Sequence, residues 1–319
     1  MTRKLTALIL LCTIATSAFA QQTHEKIVRE IQYLLYLPDN YTQDTAKRFP
    51  MMIFLHGSGE RGTDLDKVKV NGPPMMIEKG KKYPFIVVSP QAGDYGWEPN
   101  ELYHMLLTLK KKYRVDDTRI YLTGLSMGGY GTWELAMKHP EEFAAIAPIC
   151  GGADTTDIRN LRHMPVWAFH GLKDDVVPPE QSIRVVNALK KYNPSAKLTL
   201  YPDANHNSWD ATYSNDSLYT WMLQHTKFTY KQVEVKQKVL DSYIGNYVSN
   251  KDTIKIIADK GCLIARVSPM HSIELKPASD TVFFINAKDP VDIEFVKRGK
   301  EELFIVSESK RIEYKKVGK

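Results

Sequence analysis

Between about residues 30 and 224 the chain alternates two hydrophobic patterns, and no other property of the sequence narrows its possible folds so far. Short continuous runs rich in β-branched and aliphatic residues occur at IQYLLYLP (31–38), FPMMIFLHG (49–57), PFIVVSPQ (84–91), RIYLTGLS (119–126), FAAIAPICGG (143–152), PVWAFHG (165–171) and AKLTLYP (196–202). Amphipathic stretches separate several of them, among them NELYHMLLTLKKKY (100–113), GYGTWELAMKHP (129–140), PEQSIRVVNALKKY (179–192) and NDSLYTWMLQHT (215–226). Strands that are apolar on both faces need covering on both, and the intervening helices supply the cover, so the pattern predicts a doubly wound, mostly parallel α/β sheet. In such sheets, binding sites form at the carboxyl ends of the strands.

After about Lys227 the pattern changes. YIGNYVSN, TIKIIADKGCLIARVS, SIELKPASDTVFFIN and VDIEFVKRGKEELFIVSESKRIEYKKV read as short strands with turn signals at Lys260-Gly261 and Arg298-Gly299-Lys300, without a convincing helix. The expected organisation is an α/β domain over 21–230 and a small all-β module over 231–319, joined through the lysine-rich YKQVEVKQKVL. With 319 residues, 43% hydrophobic and 25% charged, the chain has room for one large core and such a module. Past residue 20, positive charge is in excess only in the tail, where 17 Lys and Arg stand against 13 Asp and Glu from residue 228 onward. That excess is too small and too evenly mixed for a nucleic-acid footprint.

Residues 1–20 read as an export signal. Arg3 and Lys4 precede an apolar run from Leu5 to about Ile14, and small residues lead to Ala18-Phe19-Ala20. The run is too short to span a bilayer, which takes about 20 residues. Lipid attachment at Cys12 is the alternative, but Leu11 is bulky where a small residue is usual. Cleavage after Ala20 puts the mature protein outside the cytoplasm, in the periplasm or medium. It leaves two cysteines, Cys150 and Cys262, whose spacing indicates neither a disulfide nor a zinc site, so both are read as buried thiols. No metal or cofactor is expected.

One strand end poses a chemical question. In IYLTGLSMGGYGTWELA, Ser126 stands between a β-like run and a helix-like run, with Gly124 and Gly128 on either side. A tight strand-to-helix turn there would push the hydroxyl out of the sheet, with small residues where backbones crowd. A serine alone is a poor nucleophile; it needs a base, and the base needs an acid to orient it. Past the end of a later strand, PVWAFHGLKDDVVPPE offers Asp174 as the acid, with Asp175 in reserve; helix capping is the plainer reading of either. Of the histidines that follow, His225 lies in a helix-like run and His271 in the β module. His206 in YPDANHNSWD follows the last strand of the α/β part and is the candidate base.

Acyl transfer also needs donors for a developing oxyanion. The N–H of Met127, at the start of the helix, is one candidate. Ser58 in FLHGSGERG supplies the other, with Gly59 as alternative, and His56 is read as holding that loop in shape.

These segments together resemble the α/β-hydrolase superfamily, and more closely the secreted esterases related to feruloyl and acetyl-xylan esterases and to the dienelactone-hydrolase and prolyl-oligopeptidase-type groups. LHGSGERG, GLSMGGYGTWELA, FAAIAPICGG, FHGLKDDVVP and NHNSW carry the likeness. It implies Ser126 as nucleophile, Asp174 as acid and His206 as base. No propeller domain precedes the hydrolase part, a departure from the prolyl-peptidase arrangement.

Substrate is less constrained. The stretch from Gly152 to His163, where many relatives insert a lid, is short, which implies an open site suited to accessible esters on a polymer or soluble conjugate. Trp97 and Trp209 are candidate sugar- or phenol-binding faces, against the plainer reading of packing. Glu60 and Arg61 stand ready to touch substrate or to pair with each other. The leading expectation is an exported serine esterase acting on acyl or hydroxycinnamoyl esters of carbohydrate-type substrates. A serine peptidase and a non-catalytic glycan- or envelope-binding protein are the alternatives, with the lysines of the β module as the glycan or envelope contact.

Overall fold

The computed structural model describes residues 31–250, 252–259, 261–287, 291–307 and 311–318; the leader, with Cys12, lies outside them. Strands β1 (Tyr33–Tyr36), β2 (Phe49–Leu55), β3 (Ile86–Pro90), β4 (Val115–Leu125), β5 (Ala145–Ile149), β6 (Trp167–Gly171) and β7 (Lys197–Tyr201) form one sheet in the order β1-β3-β2-β4-β5-β6-β7. Only β1 runs antiparallel, against β3 at the edge; the other neighbours are parallel. Every residue of β2 is buried, as a central strand covered on both faces requires.

Side-chain alternation divides the core. Met51, Ile53 and Leu55 face one layer with Leu102, Leu106, Trp133 and Val185, from α2 (Pro99–Lys112), α3 (Met127–Lys138) and α4 (Glu180–Lys190). Met52 and Phe54 face the other with Tyr213, Leu218, Trp221 and Met222, from α5 (Trp209–Ser214) and α6 (Asp216–Leu223). At about 1.5–3 kcal/mol for each large apolar side chain removed from water, these two layers dominate the stability of the α/β part.

Some elements escape the periodicity. α1 (Gly72–Glu78) opens on two prolines and α5 is only six residues long, so neither shows a repeating apolar face. α6 stops at Leu223, which leaves His225 outside the helix expected over 215–226.

The C-terminal strands β8 (Gly245–Val248), β9 (Thr253–Asp259), β10 (Cys262–Ser268), β11 (His271–Pro277), β12 (Val282–Phe284), β13 (Asp292–Arg298), β14 (Glu301–Ser307) and β15 (Arg311–Val317) close into an antiparallel barrel in the order β10-β11-β12-β13-β14-β15-β8-β9. Its interior holds Tyr247, Leu263, Phe283, Phe295 and Phe304. One expectation needs correction here. The connecting segment contains a short helix, α7 (Gln237–Ser242), whose Leu240 is fully buried in the barrel core.

The stretch between β5 and β6, short in the sequence, serves as the barrel's docking surface. Asp292 at the start of β13 accepts hydrogen bonds from Arg162 and, at 3.1 Å, from His163, while Arg159 reaches Glu294 at 3.1 Å. Around these charges Phe228 stacks on His163 and Tyr230 on Phe284, with ring centroids 4.0 and 5.0 Å apart.

Candidate active site

The turn after β4 is as tight as its glycines imply. Ser126 adopts φ 52° and ψ −118° between β4 and α3, a conformation costly for a residue with a side chain. A Cβ on Gly128 would lie 1.9 Å from the carbonyl oxygen of Leu55, and one on Gly124 would lie 2.4 Å from that of Gly128. Only glycine lets α3 approach β2 and β4 this closely. The Ser126 N–H donates to the carbonyl of Ile149 at 3.0 Å, and the Cys150 sulfur sits 3.3 Å from the same nitrogen. Burial pushes the Cys150 thiol up to about 12, so it remains protonated at neutral pH. Cys150 and Cys262 are both buried, and neither is in a disulfide.

The three candidate residues of the proton relay meet. His206 Nε2 lies 3.0 Å from Ser126 Oγ, and Nδ1 lies 2.8 Å from Asp174 Oδ2. The other carboxylate oxygen, Oδ1, accepts the backbone N–H groups of Val176 and Val177 at 3.0 and 2.9 Å. Burial acts to raise the Asp174 carboxyl, but the His206 hydrogen bond and these two amides outweigh it and hold it below its usual range. Gly171 permits the meeting of the two loops, since a Cβ there would lie 2.3 Å from Asn205 O and 2.4 Å from Ala204 O. Leu172 and Lys173 donate their N–H groups to Tyr201 O and Ala204 O, binding the loop that carries Asp174 to the loop that carries His206. Asp175, the reserve, is exposed.

The loop after β2 reaches the same place. A Cβ on Gly57 would lie 2.8 Å from Leu125 Cδ1 and 3.6 Å from Ser126 Cβ, so this backbone runs directly beside the serine. Ser58 opens the next 3₁₀ turn, and Met127 opens α3, where an N–H has no partner within the helix. His56 is fully buried behind them. Its Nε2 accepts the Ala92 N–H at 2.9 Å, so Nδ1 carries the proton and donates to Gly57 O at 2.6 Å. Burial lowers its pKa, in keeping with a neutral ring that shapes the loop.

Other aromatic and charged candidates are committed to partners. Trp97 donates to His56 O at 3.1 Å, and its ring lies 4.7 Å from that of His56. Trp209 meets His206 edge-on at 5.3 Å and donates to Asn71 Oδ1 at 3.1 Å. Asn71 Nδ2 in turn donates to Glu60 Oε1 at 2.6 Å, so a chain of hydrogen bonds links the loop after β2 to the aromatic wall of His206. Glu60 and Arg61 do not pair: Arg61 donates to the carbonyls of Ser58 and Asp94. Asn71 gave no sign in the sequence, because only the fold brings it to the site. His170, inside a strand-like run, is also at the site and donates to Asp174.

Comparison with known proteins follows the same outline. Residues 99–219, which include Ser126, Asp174 and His206, match the model of the dienelactone hydrolase family. A bifunctional acetylxylan esterase/xylanase of Neocallimastix patriciarum is 27% identical over 195 residues, 59% of this chain and 27% of the relative. A probable feruloyl esterase C of Aspergillus terreus is 23% identical over 168 residues, 51% of this chain and 62% of the relative. The crystal structure of a thermostable esterase superposes with a TM-score of 0.53 at 31% identity, covering 61% of this chain and 59% of that one. The chain therefore spans less than two thirds of each of these proteins. The sequence relatives and the structural neighbour are named as esterases, and the sheet has the α/β-hydrolase arrangement. Among the described residues no helix is long and apolar enough to cross a membrane.

Proposed function

We propose that the protein is a serine carboxylic ester hydrolase that works through an acyl-enzyme on Ser126. The observation that carries this reading is the unbroken relay Ser126–His206–Asp174, with 3.0 and 2.8 Å separations, on a strand-to-helix turn. His206 Nε2 takes the hydroxyl proton as Ser126 Oγ attacks the ester carbonyl, and Asp174 stabilises the imidazolium that forms. The tetrahedral oxyanion forms toward the N–H groups of Met127 and Ser58. Collapse expels the alcohol, which takes the proton from His206. Water, deprotonated by the same imidazole, then releases the acid and restores the serine. Water is the only co-reactant the balance requires.

Acyl or hydroxycinnamoyl groups on carbohydrate-type alcohols are the proposed substrates, consistent with the esterase relatives and with the aromatic ring of Trp209 beside His206. Residues 1–20 are proposed to export the protein, and the region from about 231 onward is proposed as a module distinct from the catalytic domain, with its lysines available to glycan or envelope. Hydrolysis of p-nitrophenyl acetate and of acetylated and feruloylated xylan fragments, alongside fluorophosphonate labelling, tests the activity. Labelling that persists in Ser126→Ala, or peptide cleavage at rates matching the esters, would overturn it.

A further inference from the structure

His170 is buried against the carboxylate of Asp174 and meets the same oxygen as His206. Its side chain has no exposed surface, and its Nε2 lies 3.1 Å from Asp174 Oδ2 and 2.9 Å from the carbonyl oxygen of Val177. A carbonyl only accepts, so Nε2 carries a proton and donates it, shared between the two oxygens. Nδ1 faces the hydroxyl of Ser182 on α4 at 2.7 Å, and that hydroxyl is also 2.9 Å from Gly151 O. Oδ2 of Asp174 thus sits between two imidazoles while Oδ1 accepts two backbone amides.

From this arrangement we infer that His170 is a positioning residue for the proposed reaction: its Nε2–H holds the Asp174 carboxylate toward His206 and draws off part of the negative charge that His206 would otherwise feel. The inference rests on the proposed serine-hydrolase reading for its kinetic consequence, but its electrostatic consequence is independent of any substrate. A carboxylate that loses one N–H donor presents more charge to its remaining imidazole partner, which favours the protonated form of that partner. Removal of His170 therefore makes His206 harder to deprotonate, whether His170 is itself neutral or charged.

Other groups around the carboxylate do not compete. Cys150, at the end of β5, is a thiol pushed up to about 12 by burial, and the phenol of Tyr130 on α3 is raised by burial, so both are uncharged where an imidazole titrates. Arg184 lies on the α4 side near Tyr130, and Lys173 pairs with Asp203 at 2.7 Å on the exposed rim. None of these is altered by substitution at 170.

The test compares wild type with His170→Phe, which removes the donor, and His170→Gln, whose amide nitrogen takes the place of Nε2–H. The titration of the His206 ring followed by ¹⁵N NMR is the primary readout, and the acidic limb of the kcat/KM profile on an aryl ester is the second. In His170→Phe both move to higher pH, by about 0.5–1 unit, and the plateau rate falls about tenfold. His170→Gln returns both toward the wild-type position. A purely structural role lowers the plateau without moving either curve, and coincident His206 titrations in wild type and His170→Phe overturn the inference. Should His170→Phe fail to fold, His170→Leu carries the same test, because it too removes the N–H donor while adding no bulk; an unmoved His206 titration again overturns it. Since the NMR readout needs no turnover, a protein that hydrolyses no ester loses the proposed function while this inference is still decided.

Discussion

The imidazole Nε2 of His206 stands 3.0 Å from the hydroxyl of Ser126, although 80 positions separate the two in the chain. With Asp174 fixing the far side of the ring, the hydroxyl's proton has a single prepared destination. On the proposed reading, replacing Ser126 by Ala leaves the relay without its nucleophile. Hydrolysis of p-nitrophenyl acetate is expected to fall by about 10⁴-fold or more, with circular dichroism and thermal melting unchanged. Residual activity within tenfold of wild type would show that another residue carries the reaction.

Glycine placement around the turn gives a sharper structural test. A methyl at Gly128 meets the Leu55 carbonyl at 1.9 Å, a contact with backbone that no side-chain rotation relieves, whereas a methyl at Gly59 has no heavy atom within 4 Å. Gly128→Ala is expected to lose soluble expression or at least several kcal/mol of stability, in line with severe overpacking. Gly59→Ala is expected to keep the stability and expression of wild type. Equal tolerance at both positions, read by thermal melting, would contradict the close approach of α3 and β2.

Two adjacent carboxylates are separated by the structure. Asp174 accepts from His206, His170 and two backbone amides, while Asp175 is exposed to solvent. Asp174→Asn keeps the shape but puts the wrong hydrogen-bonding group against His206 Nδ1, and kcat is expected to fall by about 10³–10⁴-fold. Asp175→Asn is expected to stay within about twofold, measured on the same ester. The reverse ranking would move the acid by one residue and break the relay described above.

The contrast between residues explains how much could be read from the chain alone. Ser126, Asp174 and His206 follow β4, β6 and β7 of one mostly parallel sheet, so their meeting at its carboxyl edge follows from topology and needs no knowledge of side-chain packing. His170 falls inside the strand-like run PVWAFHG, where the local pattern says only that it is buried. Its importance comes from a carboxylate four residues on that curls back toward it. Asn71 and Glu60 depend on a loop whose path is set by long-range packing, and the pattern of apolar residues carries no signal for that. The barrel shows the same division: alternating strands are legible, whereas its docking on residues 159–163 depends on single charged side chains brought together by the fold.

Arg162, His163 and Asp292 make that docking sensitive to pH. Burial acts to raise the Asp292 carboxyl, but the hydrogen bonds of His163 and Arg162 outweigh it and hold it below its usual range. In the unfolded chain an aspartate has a pKa of about 3.9. A carboxyl depressed on folding contributes stability that is fully present above that value and is lost as pH falls through the lower, folded one. Asp292→Asn removes the carboxylate charge that faces the Arg162 side chain, only 5% exposed, and at pH 7 the expected loss is about 1.5–3 kcal/mol in urea denaturation. Below about pH 4 the gap between wild type and variant should begin to narrow, because residue 292 is then protonated in the unfolded wild type, and its depressed folded carboxyl follows only at lower pH. Glu301→Gln, in an exposed pair with Lys315, should change nothing measurable. A gap that stays constant from pH 7 to pH 3 would mean that the carboxylate's charge is not what fastens the barrel to the segment between β5 and β6.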